Sequence, residues 1–166
     1  YIDMVGGNNT LTFEVGGAVD GGTVTGGAAT DVVNIEVDTN LTGGNAITLN
    51  SNFSEIDRVN IVDQGSDGYD VAITLSANFL SNVNDNGIVF DASTSYHSTT
   101  NPNGNVDGLD AGETLTFDAT ALVQLDGVTV IGGGGSDVIT TAQADDARGA
   151  MVIDFSQTAN VGKASD

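Results

Sequence analysis

Ile131-Gly132-Gly133-Gly134-Gly135-Ser136-Asp137-Val138-Ile139-Thr140 is the stretch that decides the fold. It fits the nonapeptide G-G-x-G-x-D-x-U-x, with U a large apolar residue, without a mismatch. Gly132, Gly133 and Gly135 fill the glycine positions, Asp137 the acidic one and Ile139 the apolar one. Glycine lets the backbone take φ > 0 and turn its carbonyls toward one point. An aspartate adds a hard, charged oxygen there, the donor that Ca²⁺ prefers. Two residues later the chain is expected to be a strand with Ile139 in the core.

Working outward, the next match is Gly26–Val37, GGAATDVVNIEV. Gly26, Gly27, Asp31 and Val33 hold the pattern, and Ala29 replaces its third glycine. Alanine resists φ > 0, so Asp31 has two readings: a calcium ligand, or a turn aspartate capping backbone N–H groups. A third, degraded copy lies in Gln64–Thr74, where Gly68 and Asp70 keep the spacing, Asp67 adds a carboxylate and Ala72 takes the U position. A fainter echo, Gly6-Gly7-Asn8-Asn9, precedes the alternating run Leu11, Phe13, Val15.

Period-two alternation marks further strands. It occurs at Thr23–Thr25, Val33–Val37, Ala46–Asn50, Val59–Ile61, Val71–Leu75, Gly87–Asp91, Thr114–Asp118, Leu122–Ile131, Val138–Thr140 and Met151–Phe155. Ser76–Val83 could form a helical turn, and Thr141–Ala150 one short helix capped by Thr141 and closed at Gly149. Residues 1–156 are expected to make a single β-rich domain or a segment of a longer chain, with 157–166 a frayed tail.

The Ile131–Thr140 stretch resembles the calcium-binding repeat of the RTX (repeats-in-toxin) family. The resemblance implies a parallel β-roll in which each repeat supplies half a site and the ion sits between two stacked turns. Asp31 and Asp137 are too far apart in sequence for adjacent turns of a regular roll. Strand phrases such as DVVNIEV and RVNIVDQG are closer in style to type I-secreted bacterial surface-layer and adhesin proteins. The expected fold is therefore all-β: an irregular parallel β-solenoid or β-roll with glycine- and aspartate-rich turns. The alternative is an antiparallel β-sandwich. The two part on one point: antiparallel pairing of Val33–Val37 with Val59–Asp63 would make a sandwich.

Composition narrows the chemistry. The 166 residues carry 23 acids against three bases (Arg58, Arg148, Lys163), a net charge of −20. Without a basic patch, nucleic acid and anionic membranes are excluded as partners. No apolar run approaches the ~20 residues of a membrane-spanning helix. There is no Cys, hence no disulfide or thiolate metal site. Of the acids 19 are Asp and four are Glu, a bias that suits tight turns and short-reach cation ligands. A halophile's acid-coated surface is the competing account. Charged residues total only 16%, below the usual ~25%, because lysine is missing. The single His97 lies in a polar loop, and Lys163 lies outside any phosphate-loop pattern. No catalytic set assembles, and the chain is expected not to be an enzyme.

A second calcium candidate is Asn101–Glu113, NPNGNVDGLDAGE, which resembles acidic EF-hand-like and dockerin-type loops. Asn103, Asn105, Asp107, Gly108 and Glu113 carry the likeness, and Asp110 adds a carboxylate. Asn replaces Asp twice, and no amphipathic helices flank the loop, so a plain polar surface loop is the alternative. The candidate ligands are thus Gly133, Gly135 and Asp137; Asp31; Asp67 and Asp70; and Asn103, Asn105, Asp107, Asp110 and Glu113, all for Ca²⁺.

The expectation is a secreted, calcium-stabilised structural or adhesive module at the cell surface, self-assembling in a surface layer, filament or matrix. Its partners would be further copies of itself, as homo-oligomer or polymer, and a surface glycan. Two alternatives stand: an accessory module of a secreted hydrolase or epimerase, and a carbohydrate-binding β-sandwich. The chain opens on Tyr1 with no visible signal peptide, and so reads as a processed form or an excerpt.

Overall fold

The computed structural model describes residues 1–4, 6–15, 23–43, 46–63, 68–79, 87–93, 108–109, 112–122, 127–141, 151–155 and 163–165. Among these residues fourteen strands are formed. In chain order they are β1 Ile2–Asp3, β2 Asn9–Val15, β3 Val24–Thr25, β4 Asp31–Val37, β5 Ile47–Leu49, β6 Phe53–Ser54 and β7 Arg58–Asp63, then β8 Val71–Leu75, β9 Ile88–Asp91, β10 Leu115–Ala119, β11 Val128–Ile131, β12 Val138–Thr141, β13 Val152–Asp154 and β14 Lys163–Ser165. Every ladder between them is parallel.

The long sheet runs β2-β4-β7-β9-β11-β13 in strict chain order. From β4 onward, between its successive members the chain crosses to the opposite sheet, β5-β8-β10-β12-β14. Each of these coils therefore lays one strand on each wall, which makes a parallel β-solenoid. In the first three coils a short sheet, β1-β3-β6, adds a third wall. The deciding pair is β4 with β7: Val33 lies opposite Val59 and Ile35 opposite Ile61, in parallel. This excludes the sandwich.

The interior consists of columns built by that register. Leu11, Val33, Val59, Phe90, Val130 and Ile153 stack along the long sheet. Ile47, Ile73, Phe117 and Ile139 stack along the facing one. Val, Ile and Phe favour strands because their branched or flat side chains pack on a pleated surface. Phe90 and Phe117 bind the walls together with ring centroids 4.9 Å apart, and Phe79 joins them at 6.0 Å from Phe90. Such tilted aromatic pairs add about 1 kcal/mol each beyond the area they bury.

A repeat hidden from periodicity links the walls. Ile47–Phe53 (ITLNSNF) and Ile73–Phe79 (ITLSANF) are nearly the same phrase. In each, the Phe N–H donates to the carbonyl three residues back at 3.0 Å, and the ring is buried. The helical turn expected at Ser76 is this single tight turn as far as Phe79; residues 80–83 lie outside the described residues.

Three expectations change. Of the strand expected over Leu122–Ile131, Val128–Ile131 forms, Leu122 turns back to bond the Ala119 carbonyl at 3.1 Å, and 123–126 lie outside the described residues. Thr141 ends β12 rather than capping a helix, while 142–150 lie outside the described residues. Within the expected frayed tail, Lys163–Ser165 pairs with β12 as a strand.

Candidate calcium-binding turns

Asp31 and Asp137 both stand at the first inward position of a strand's path, directly after a glycine-rich turn. Both are buried. Gly26 and Gly133 permit the approach of the neighbouring coil at these turns. A Cβ on Gly26 would lie 1.9 Å from the Glu55 carbonyl oxygen, and one on Gly133 would lie 2.7 Å from Leu109 Cβ. Gly135 is buried beside them in sequence. Gly26 and Gly133 thus serve close coil stacking.

The carboxylates face N–H groups. Asp31 Oδ1 accepts the Asn9 backbone N–H at 3.1 Å and the Asn9 side-chain amide at 2.8 Å. Its Oδ2 accepts the Gly27 N–H at 2.6 Å. Asp137 Oδ1 accepts the Leu115 N–H at 3.0 Å. In both cases the donor belongs to the residue 22 positions earlier, one coil back. Asp57 repeats the device, its Oδ2 accepting the Asp31 N–H at 2.7 Å. Asp70 acts in the opposite direction: its Oδ1 accepts the Thr114 N–H of the following coil at 2.8 Å, while its own N–H goes to Asn40 Oδ1 at 2.8 Å.

Ca²⁺ takes six to eight oxygens, drawn from carboxylates, carbonyls and water. Both Asp31 oxygens already point at N–H donors, so the carboxylate has partners within the protein. Among the described residues no three of Asp, Glu, His and Cys come together in a metal-holding group. Glu113 is buried and Asp70 half-buried. Asp67, Asn103, Asn105, Asp107 and Asp110 lie outside the described residues.

Several polar side chains that the motif search passed over carry the same kind of work. Asp91, Asp118 and Asn50 each accept the N–H two residues on, at 2.9, 2.9 and 2.8 Å, and so stop their strands. This is the short-reach turn chemistry for which Asp is preferred over Glu. On the outer face of the long sheet, Asn60 Nδ2 donates to Asn34 Oδ1 at 2.8 Å, and Arg58 Nε donates to Asn60 Oδ1 at 2.8 Å. Arg58 also pairs with the buried Asp91 of the next strand. The signal for this cross-coil ladder lay in aligning Asn34 with Asn60, 26 residues on.

No protein-family model, curated protein or solved structure matches this chain.

Proposed function

We propose that the chain is a structural module of an extracellular assembly, a surface layer, filament or matrix, and that it carries out no reaction of its own. The observation behind this reading is the apolar column from Leu11 to Ile153. Its inner members Val33, Val59, Phe90 and Val130 are fully buried, and its two outermost, Leu11 and Ile153, are only partly covered. Among the described residues no strand pairs with the outer edge of β2 or of β13. A parallel edge strand beside a partly covered apolar column accepts another coil, and a head-to-tail contact of this kind extends without closing.

Calcium belongs to the proposal through the charge. Copies of a −20 chain repel one another, and divalent cations relieve that repulsion. The sites proposed for it are Asp67–Asp70 and Asn101–Glu113, and the resemblance to RTX repeats favours secretion. The test is a calcium titration read by circular dichroism and light scattering on one sample. Particle size rising with Ca²⁺ and collapsing with chelator is the expected result. Strand signal responding without any change in size would replace assembly by an accessory binding module.

A further inference from the structure

The first turn of the solenoid contains an oxygen cage with its occupant built in. Gly6 and Gly7 both have φ near +85°, at 85° and 88°, a conformation that side-chain-bearing residues avoid. Between this turn and the strand head one coil on, three oxygens converge on the side-chain nitrogen of Asn9. They are the Met4 carbonyl, the Gly7 carbonyl and Asp31 Oδ1, each 2.8 Å from Nδ2. Two turn carbonyls and one carboxylate, drawn from two stacked coils, are the donor types that a hard cation selects. An amide nitrogen carries only two hydrogens for these three acceptors. The group at the centre is therefore a neutral donor in a site whose partners include a full negative charge.

We infer that the Asn9 amide stands in for a divalent cation at this turn, and that the choice of Asn rather than Asp at position 9 makes the first two coils independent of calcium. The side-chain position is the same for both residues. Asn supplies positive hydrogens to the cage. Asp would supply two more oxygens, for five protein oxygens in all, and a second carboxylate beside Asp31. Without a cation that arrangement sets oxygen against oxygen. With one it approaches the coordination that Ca²⁺ takes once water completes the shell. Asn9 is only half-buried, so water has access. This inference stands whether or not the chain assembles, since it concerns contacts within one copy.

The experiment compares the full chain with its Asn9→Asp and Asn9→Ala variants, in chelator and in millimolar CaCl₂. In chelator both variants should melt about 5 °C or more below the parent. On adding calcium, Asn9→Asp should recover to within about 2 °C of the parent, while Asn9→Ala should keep its deficit. Calorimetric titration of Asn9→Asp should count one more bound calcium than the parent. Equal losses for the two variants under both conditions, or an unchanged calcium count, would overturn the inference. A readout on the parent chain covers the case in which Asn9→Asp fails to fold. The Asn9 side-chain amide protons should exchange slowly, and their NMR signals should stay fixed through a calcium titration. Fast exchange, or signals that follow the calcium, would equally defeat it.

Discussion

At Asn9, Asp31 and Leu115 the N–H at the head of a strand is taken by an aspartate side chain of the following coil, from Asp31, Asp57 and Asp137 in turn. At Leu41, Val71 and Ile88 the equivalent N–H is taken by a backbone carbonyl of the following coil, from Asp70, Thr114 and Gly127 at 2.7–2.9 Å. The register makes the two sets comparable. Each aspartate sits directly opposite the residue it serves, whereas each serving carbonyl belongs to the residue just before the opposite one. Where the backbone arrives in line, the opposite residue is free to be apolar, as Val71, Leu115 and Val128 are. Where a tight turn precedes the strand, as at Gly26–Thr30 and Gly132–Ser136, an aspartate fills the acceptor's place. A buried N–H left without a partner costs about 1–3 kcal/mol, so the position admits few other residues.

The strongest way to break this comparison is to put the wrong solution in the wrong place. Val128→Asp would bury a carboxylate opposite Ile88, whose N–H the Gly127 carbonyl already holds at 2.7 Å. It also removes a side chain that is 1% exposed. Lost packing and an uncompensated charge together should lower stability by about 4 kcal/mol, read from the urea midpoint. A loss under 1 kcal/mol would mean that strand heads tolerate either residue, and that the two classes differ by accident.

The converse change sharpens the comparison. Asp31→Ala releases the Asn9 and Gly27 backbone N–H groups together with the Asn9 amide, and should cost about 3 kcal/mol. Asp137→Ala releases the Leu115 N–H, and should cost about 1–2 kcal/mol. Both losses should be the same in calcium and in chelator. If Asp31→Ala loses stability only when calcium is present, the carboxylate was a metal ligand after all.

The aspartates themselves were legible from the sequence, and so was their setting. G-G-x-G-x-D places a carboxylate at the start of an inward-facing strand, and both Asp31 and Asp137 lie there. Their partners were not legible. A carboxylate oriented by glycine carbonyls and one oriented by N–H groups are spelled alike, and only the neighbouring coil distinguishes them. That neighbour is 22 residues away at Asp31 and 40 away between Ile88 and Val128, so no fixed period reveals it. The strands were readable for the opposite reason. Alternation such as Val33, Ile35, Val37 is local, and parallel stacking on Val59, Ile61 follows from matching one phrase to the next. Asn9 was the least visible of all, one amide in a polar run whose role depends on Met4, Gly7 and Asp31 at once.

The smallest effect comes from the turn before Asp57, which is shorter than the turn before Asp31 and opens on Glu55 where that one opens on Gly26. Thr25 pairs with Ser54, so Gly26 and Glu55 occupy equivalent places in adjacent coils. Gly26 is held there by the Glu55 carbonyl pressed against its α-carbon. Glu55 has φ of 55°, the one described residue other than glycine with positive φ. A side chain in this region carries about 1–2 kcal/mol of strain, because Cβ crowds the carbonyl. Glu55 is exposed, so its side chain gains little from packing in return. Glu55→Gly removes the strain but gives the unfolded chain more freedom, a loss of roughly 0.5–1 kcal/mol. The net should be a stabilisation of about 0.5 kcal/mol, seen as a Tm rise of about 1–2 °C. A fall in Tm would show that the glutamate side chain contributes at this turn what glycine contributes at the one before it.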